Sequence, residues 1–492
     1  MRTPGEVTLA LSIDRGDPRS LPRQLADELR AAIGNGLVAS GEPVPASRAL
    51  AQRLGVSRGT VVAAYDQLLA EGYLLGRVGH GTVVNPALRD VHPPTSLRPP
   101  ARQAGPARSH LIDLRPGQPW TADIVNAGWR AAWRRAAGQP LAPLPAAGLP
   151  ELRTEIADHV RRMRGVRRVA DHVLVTAGAR DGLGVLLATL GTGRRVGVED
   201  PGYPSLRRVP PRLGSTVIPL PTDDAGLVCD NLPTGADAPH VVVVTPSHQY
   251  PLGGSLPVAR RQALLDWARR EEVVVVEDDY DSELRYTSAP LPALAALDDP
   301  ADGCVVTLGT FAKTLGPGLG VGFMLAPERL VDDLRRTRTD LGQPVSHVAQ
   351  WALADYLGSG ELRRHTQRMR REYRRRRALV LELLEGLPHV HVKAMDGGLH
   401  AVVESDIPEG ELIARIRQQG VVVAGLADYW SRPAAGADGL VLGYGGVSPD
   451  DLRTALDVIA GAVRGIGSSR RSRVLEAHLP QASRDQATDR TS

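Results

Sequence analysis

A chain of 492 residues with 42% hydrophobic and 23% charged side chains predicts a globular protein of about three domains. Its net charge of +4 is too small to draw the whole chain onto nucleic acid, so any DNA contact must come from individually placed arginines. Two cysteines make neither a disulfide framework nor a zinc site, and no apolar run approaches the length of a membrane span. We therefore expect a cytoplasmic protein with no membrane partner.

Residues 17–86 predict a compact unit of helices followed by a hairpin. Apolar residues recur at helical spacing in LPRQLADELRAAIGNG, and SRALAQRLG and SRGTVVAAYDQLLAEG predict two further helices. Ser47 and Ser57 are the expected N-caps of these two helices, and Gly55 turns the chain between them. The following YLLGRVGHGTVV predicts a β-hairpin, so the order is that of a winged helix-turn-helix.

The polar side chains at the element starts favour DNA binding over a helix pair that only packs its core. Arginine binds guanine edges in the major groove, and helix N-termini with short hydroxyl side chains bind phosphate. The stretch SRALAQRLGVSRGTVVAAYDQLLAEGYLLGRVGHGTVV also resembles the winged-helix domain of the GntR family. The resemblance implies that double-stranded operator DNA is contacted by Arg48, Ser57, Arg58, Thr60, Arg77 and His80.

Proline-rich residues 87–112 predict a semi-rigid linker. In residues 113–465, apolar strand-like runs alternate with helical patterns, which predicts an α/β fold with a mostly parallel sheet covered on both faces. We expect a large part over about 113–345 and a smaller C-terminal α/β part over about 346–465. Polar residues 466–492 predict a disordered tail.

The basic run at residues 363–377 has two interpretations. Its many arginines could form a second nucleic-acid patch, or they could be the solvated face of one helix. Leu362, Met369 and Tyr373 mark an apolar side at helical spacing, which favours the solvated helix.

In the larger unit, five strand-like runs have chemically functional residues at their carboxyl ends or just after them. Carboxyl ends of parallel strands meet at one edge of the sheet, where ligands bind. The runs and their residues are VLVTAG with Gly178 and Ala179, RVGVED with Tyr203, HVVVVTP with His248, Gln249 and Tyr250, VVVVED with Asp278 and Tyr280, and VVTLGT with Lys313. Lys313 is one of only two lysines, the other being Lys393, in a chain that otherwise uses arginine. Unlike arginine, lysine can lose its proton and attack a carbonyl.

Together these groups are the set that pyridoxal phosphate requires. A lysine can bond to the aldehyde of the cofactor, a carboxylate can hold its pyridinium nitrogen, a tyrosine can stack on its ring, and a helix N-terminus can hold its phosphate. Each residue alone has an ordinary structural interpretation, such as a turn former or a tight-turn glycine. Their conjunction in strand order favours a cofactor site.

The segments VTAGARDGL, VEDPGYP, TPSHQYPLGG, VEDDYDSELRY, LGTFAKTLGP, RRHTQRMRREYRRRR and DGGLH resemble the MocR subfamily of GntR regulators. In that subfamily a winged helix-turn-helix is fused to a fold-type I aminotransferase-like domain, and the resemblance runs from about residue 20 to about residue 465. It implies a homodimer, a Schiff base on Lys313, and cofactor contacts from Asp278 to the ring nitrogen, Tyr280 near the phenolic oxygen, Tyr203 on the ring face, Gly178 and Ala179 on the phosphate, and His248, Gln249 or Tyr250 at the ring edge.

The chain departs from that pattern at two places. The family has a phosphate-binding arginine seven residues after the lysine, where this chain has Gly320. We expect Arg180 to replace it, the alternative being that Arg180 faces solvent or pairs with Asp181. Many fold-type I enzymes also hold a substrate carboxylate with an arginine from a C-terminal strand, which here has the sequence GLVLG.

These features predict a transcription regulator that senses pyridoxal phosphate, an amine or amino acid effector, or both. The alternative is an active aminotransferase with a vestigial DNA-binding head. The complete helix-turn-helix pattern and the missing carboxylate arginine favour regulation with little or no turnover. A scaffold protein would not explain the cofactor groups.

Overall fold

The computed structural model describes residues 11–77, 81–88, 111–285, 292–432 and 438–477, with side chains in the last segment described up to residue 466. The chain divides into two compact units, Met1–Arg108 and Ser109–Ser492. Most of the predicted proline-rich linker lies outside the described residues, as does His80.

The first unit is a winged helix-turn-helix, as predicted. Its elements are α1 Leu21–Gly34, α2 Ser47–Leu54, α3 Arg58–Ala70, β1 Leu74–Arg77 and β2 Gly81–Val84. The two strands pair antiparallel, with Leu74 opposite Val84. Leu25, Leu50 and Leu68 are fully buried in the core that joins the three helices to this hairpin.

One predicted helix cap is confirmed and the other is wrong. Ser57 caps α3, and its side chain accepts a hydrogen bond from the Thr60 amide at 3.1 Å. Helix α2 begins at Ser47 itself, with Ala46 in the capping position. The Ser47 hydroxyl lies inside the first turn of α2, where it accepts a hydrogen bond from Nε of Arg58 at 3.4 Å.

The second unit contains a central sheet, a smaller sheet and the helices that cover them. Its first elements are β3 Ile112–Asp113, α4 Ala127–Ala137, α5 Pro150–Arg164, β4 Val173–Thr176, α6 Ala179–Leu190, β5 Arg195–Asp200, α7 Pro204–Arg207, α8 Val209–Arg212, β6 Thr216–Asp223, β7 Gly226–Leu227, β8 Val241–Val244, α9 Val258–Arg270, β9 Val274–Asp279, β10 Val305–Thr310 and β11 Gly322–Leu325. The elements that follow are α10 Glu328–Leu341, α11 His347–Gly358, α12 Glu361–Leu384, β12 Val390–Val392, β13 His400–Ser405, α13 Glu409–Gln418, β14 Val421–Val422, β15 Ala424–Gly425, β16 Gly439–Gly443 and α14 Pro449–Ala477.

The central sheet has the strand order β4-β11-β10-β9-β8-β5-β6-β7. Strands β6, β5, β8, β9 and β10 run parallel to one another, whereas β11 and β7 are antiparallel to their neighbours. A hydrophobic cluster lies on each face of the sheet, which confirms the predicted α/β fold with a mostly parallel sheet. Strand β6 was not predicted, because Pro219 and Pro221 lie within it and proline is rare inside paired strands.

The C-terminal part of this unit contains a four-stranded antiparallel sheet, in the order β12-β13-β16-β15. Helix α12, which carries the basic run, buries Leu362, Met369 and Tyr373 and so has the apolar side that was predicted. Helix α14 extends to Ala477, so the prediction of a disordered tail is corrected for residues 466–477. The sequence RSRVLEA continues the helix because arginine, leucine, glutamate and alanine are good helix formers. Among the described residues, no helix is long and apolar enough to cross a bilayer.

Candidate functional site

A cavity of about 210 Å³ lies at the carboxyl edge of the central sheet. The sheet strands, the N-terminus of α6 and the loops after β5 and β10 bring together side chains that are far apart in sequence. Seven of the predicted cofactor residues line the cavity, namely Gly178, Ala179, Arg180, Tyr203, Asp278, Tyr280 and Lys313. His248 and Gln249 do not line it.

Lys313 extends into this cavity from the loop after β10. Its Nζ donates a hydrogen bond to the carbonyl oxygen of Gly117 at 2.9 Å, and within the described part of the chain it has no ion-pair partner. Burial lowers the pKa of Lys313, although the carboxylates of Asp281 and Asp278 offset part of that effect. The amine is therefore easier to deprotonate than that of a solvated lysine, as a nucleophile requires.

Lys393 differs from Lys313 in every one of these respects. Its Nζ forms ion pairs with Asp224 at 2.8 Å and with Glu404 at 3.0 Å. These hydrogen bonds raise its pKa in spite of partial burial. Lys393 is thus a charged structural lysine, which makes it a matched control for Lys313.

Asp278 lies at the end of β9 and is only 4% exposed. Its Oδ1 is fully buried and has no hydrogen-bond partner among the described residues. Burial raises the pKa of Asp278 to about 8, with a further contribution from the adjacent carboxylate of Asp279, and Lys313 acts in the opposite direction. A buried acceptor without a donor is unfavourable, so this oxygen suits a ligand that brings an N–H group, above all a cationic one.

Three tyrosines form the aromatic part of the cavity wall. The ring of Tyr250 meets those of Tyr203 and Tyr280 edge-on, with centroid distances of 5.2 Å and 5.6 Å. Tyr203 is the most accessible of the three, at 36% exposure. Of the three residues considered for the ring edge, Tyr250 is the one that reaches the cavity.

The other two residues of that turn face away from the cavity. Gln249 is fully buried, and its side-chain amide donates to the carbonyl oxygens of Pro201 and Tyr250, both at 2.9 Å. Gln249 therefore stabilises the turn, and the structure does not place it on the wall where a cofactor contact was expected. His248 lies behind the wall, where its Nδ1 is 2.9 Å from the hydroxyl of Tyr280. The three consecutive side chains of this turn point in different directions, and Tyr250 alone of the three lines the cavity.

The opposite end of the cavity is the N-terminus of α6. Gly178 is its N-cap, with φ of +104°, and the first amides of the helix have no intrahelical acceptor. Arg180 is exposed and lines the cavity, whereas the carboxylate of Asp181 accepts from the Ala177 amide at 2.9 Å and from Arg338 at 2.6 Å. Arg180 therefore does not pair with Asp181, and the amides and the guanidinium together can hold an anion.

Sequence reasoning missed two further groups on the wall. Thr310 is the last residue of β10 and lies three residues before Lys313. Its position at a strand end was the same sequence signal that identified the other site residues. Gly117 is separated from Lys313 by 196 residues, and no signal connected the two. A side chain at Gly117 would place its Cβ 3.2 Å from Nζ of Lys313, and its φ of +108° also favours glycine.

The side of the site next to Tyr250 is apolar. Val441 of β16 is fully buried in a cluster with Tyr250, Val402 and Tyr429. Its neighbours Leu440 and Leu442 pack into the C-terminal core instead. Val441 is thus the position from which a carboxylate-binding arginine on this strand would face the tyrosines. Among the described residues, Arg180 is the only arginine that lines the cavity.

On the first unit, the starts of α2 and α3 form a basic surface. Arg48, Ser57, Arg58 and Arg77 are exposed and Thr60 is half-buried. The hydrogen bond between Arg58 and Ser47 connects the two helix starts. The predicted DNA-contacting residues that the structure describes are therefore accessible, as contacts with bases and phosphates require.

We expect Arg58→Ala to weaken specific DNA binding and to change the sequence preference, because a guanidinium at a helix start can contact a base edge. The expected cost is roughly 1–3 kcal/mol. Fluorescence anisotropy with an operator duplex and a set of single-base variants measures both effects. An equal loss of affinity for every duplex would make Arg58 a phosphate contact instead.

Comparison with known proteins agrees with this division into two units. Residues 21–84 match the family of bacterial regulatory proteins called gntR, and residues 109–429 match aminotransferase class I and II. The structure resembles that of an archaeal alanine:glyoxylate aminotransferase, with a TM-score of 0.67 and 22% identity over 72% of this chain and 91% of that chain, which establishes the fold alone. Enzymes of this fold depend on pyridoxal phosphate as a family.

Two relatives match nearly the whole chain. The HTH-type pyridoxine biosynthesis transcriptional regulator PdxR of Corynebacterium glutamicum is 45% identical over 92% of this chain and 98% of its own length. The probable rhizopine catabolism regulatory protein MocR of Rhizobium meliloti is 33% identical over 93% of this chain and 97% of its own length. The chain therefore belongs to the MocR-type branch of the GntR transcription regulators, in which a DNA-binding helix-turn-helix is fused to an aminotransferase-like domain.

Proposed function

We propose that this chain is a cytoplasmic regulator that binds pyridoxal phosphate in the cavity through Lys313 and converts its binding into a change in affinity for operator DNA. The observation that carries the proposal is the presence, in one cavity, of a buried Asp278 carboxyl oxygen that has no hydrogen-bond donor among the described residues and of the half-buried amine of Lys313. Within the part of the chain that the structure describes, this oxygen lacks a donor and the amine lacks an ion-pair partner, so both groups can bind a ligand.

Each wall of the cavity has a distinct task in this proposal. Pyridoxal phosphate supplies an aldehyde that captures amines and a ring that withdraws electrons when its nitrogen is protonated. Asp278 would keep a proton on the ring nitrogen of the cofactor. The resulting cationic N–H would lie next to the carboxylate of Asp278 and would offset the cost of burying the carboxylate charge. Tyr203 would cover a face of the ring and Tyr250 would line its edge, and both would exclude water. The α6 amides and Arg180 bind the phosphate.

The ligand specificity follows from the apolar side of the site. A free amino acid brings a carboxylate that needs a bidentate cation, and Val441 provides none. We therefore propose that pyridoxal phosphate itself, with or without a small amine effector, is the signal. The name of the Corynebacterium relative assigns it to pyridoxine biosynthesis, and we extend that target to this chain because the match covers both proteins nearly end to end.

The test is the affinity of purified protein for duplexes from upstream of pyridoxine biosynthesis genes, with and without pyridoxal phosphate. A five- to 150-fold change is the usual size of coupling between two sites. Lys313→Ala should bind the same duplex but lose the response. An unchanged affinity in the wild-type protein would contradict cofactor sensing.

A second measurement separates regulation from catalysis. Adding a common amino donor should change the visible spectrum of the loaded protein without steady production of keto acid. Turnover at ordinary enzyme rates, roughly 1–1,000 per second, would instead favour the active aminotransferase.

We also expect a homodimer that binds two half-sites, because fold-type I relatives place their sites near a subunit interface and two winged helices need two half-sites. Sedimentation velocity at micromolar concentration with cofactor present should give the mass of two chains. A monomer under these conditions would contradict this prediction.

A further inference from the structure

Behind the cavity wall, three side chains form a continuous hydrogen-bonded chain. The hydroxyl of Tyr280 lies 2.9 Å from Nδ1 of His248, and the same nitrogen lies 2.9 Å from Oδ2 of Asp281. His248 and Asp281 are 7% and 5% exposed, and the rings of His248 and Tyr280 stack at 5.9 Å. Tyr280 itself lines the cavity, so the chain connects a cavity group to a buried carboxylate.

The chemistry of these groups decides where the protons lie. Where the carboxylate of Asp281 accepts this hydrogen bond, Nδ1 of His248 is the donor and carries the shared proton. The oxygen of Tyr280 can then share that N–H only as an acceptor. The phenolic proton of Tyr280 is left for an acceptor in the cavity.

The surroundings keep this arrangement in place. Gly398 packs against the pair so closely that an added Cβ would lie 2.5 Å from Cε1 of His248 and 2.7 Å from Oδ2 of Asp281. The ring of His400 lies 5.4 Å from that of His248, and burial lowers the pKa of His400 to about 4, so it is neutral near pH 7. Other titratable groups that act on Tyr280 or on this pair include Tyr250, Asp278, Glu199 and Lys313. The guanidinium groups of Arg164 and Arg285 belong to residues that line a small cavity together with His248 and Asp281.

We propose that His248 and Asp281 are positioning residues that fix the hydroxyl of Tyr280 as a hydrogen-bond donor to an oxygen on the ring bound in the cavity. This inference rests on the proposed binding of pyridoxal phosphate. The phenolic oxygen of that cofactor is an acceptor of the required kind. Without His248, the hydroxyl of Tyr280 rotates freely, and its donation to the ring oxygen weakens.

The experiment follows the visible absorbance of the pyridoxal-phosphate-loaded protein against pH. When the ring oxygen loses its hydrogen-bond donor, its negative charge is less stabilised, and it holds a proton on a neighbouring nitrogen more tightly. The pH at the midpoint of the spectral change should therefore rise. Tyr280→Phe and His248→Leu should each raise it by about one pH unit, the size expected for a lost hydrogen bond to a charged group. His248→Asn keeps an N–H close to the place of Nδ1 and should retain most of the wild-type midpoint.

The double variant decides whether His248 acts through Tyr280. If it does, Tyr280→Phe with His248→Leu should have the midpoint of Tyr280→Phe alone. An unchanged midpoint in His248→Leu, or a second full shift in the double variant, overturns the inference. If His248→Leu does not fold, His248→Phe replaces it, with a shift of the same sign expected and no shift counting against the relay. Asp281→Asn is unsuitable for this purpose, because the charge of Asp281 itself raises the pKa of Lys313.

The same titration distinguishes the two levels of the proposal. A wild-type protein that gives no visible band with pyridoxal phosphate overturns the proposed function and this inference with it. A normal band with a midpoint that does not change when His248 is replaced by leucine or phenylalanine overturns only the inference.

Discussion

Lys313→Ala is expected to abolish the covalent adduct that borohydride traps between this protein and pyridoxal phosphate. The amine of Lys313 is half-buried on the cavity wall, and its lowered pKa makes the neutral nucleophile available. Mass spectrometry of the reduced and digested protein measures the adduct. The same variant should lose the effect of the cofactor on DNA affinity while still binding DNA, because the winged helix-turn-helix is a separate compact unit.

Two controls make this result specific. Lys313→Arg retains a cation that is effectively always protonated, so it should also lose the adduct and thereby separate nucleophilicity from charge. Lys393→Ala removes the other lysine of the chain, which is held in ion pairs with Asp224 and Glu404, and should retain the adduct in full. An adduct that persists in Lys313→Ala and maps to Lys393 would show that the nucleophile was assigned to the wrong lysine.

The functional groups at the strand ends could be predicted because the strands themselves are easy to recognise in the sequence. Runs of consecutive valines, as in β8 and β9, are typical of strands buried on both faces, and the polar residues that follow the valines mark the carboxyl end of each strand. Asp278 and Lys313 follow such runs, so the topology of a parallel sheet brings them to one edge. Their meeting in one cavity needed no information beyond the sequence pattern.

The parts that could not be predicted depend on long-range packing or on the direction of single side chains. Gly117 contacts Lys313 across 196 residues, and a carbonyl oxygen carries no sequence signal. In the turn that contains His248, Gln249 and Tyr250, cavity access depends on turn geometry that the spacing of residues does not determine. The role of Val441 needed the pairing of β16 with its neighbours, because strand alternation gives two faces but not which one meets the tyrosines.

The phosphate end of the cavity raises a different problem, because Gly320 lies where the family has an arginine. Gly320 and Arg180 both line the cavity, and Arg180 has no competing pair with Asp181, whose carboxylate is taken by Arg338. A guanidinium at a helix start opposes the helix dipole by about 0.3–1 kcal/mol. A charge-assisted hydrogen bond to phosphate contributes about 1.5–3 kcal/mol, which exceeds that cost.

Arg180→Gln is therefore expected to weaken pyridoxal phosphate binding about ten- to a hundredfold, which follows from the lost pair at about 1.4 kcal/mol for each factor of ten. Titration of the visible band at fixed pH measures the affinity. Arg212→Gln, at an exposed arginine that does not line the cavity, is the matched control and should leave the affinity unchanged.

Adding Gly320→Arg to Arg180→Gln should restore most of the affinity, because an added Cβ at Gly320 meets no atom within 4 Å and the position lines the same cavity. Gly320 has φ of +62°, so any side chain there costs roughly 1–2 kcal/mol of folding free energy, which thermal unfolding can detect. Arg180→Gln with Gly320→Ala carries the same backbone strain without a guanidinium and should not recover affinity. If Arg180→Gln alone kept full affinity, Arg180 would not replace the family's arginine. The α6 amides would then be the groups that hold the phosphate.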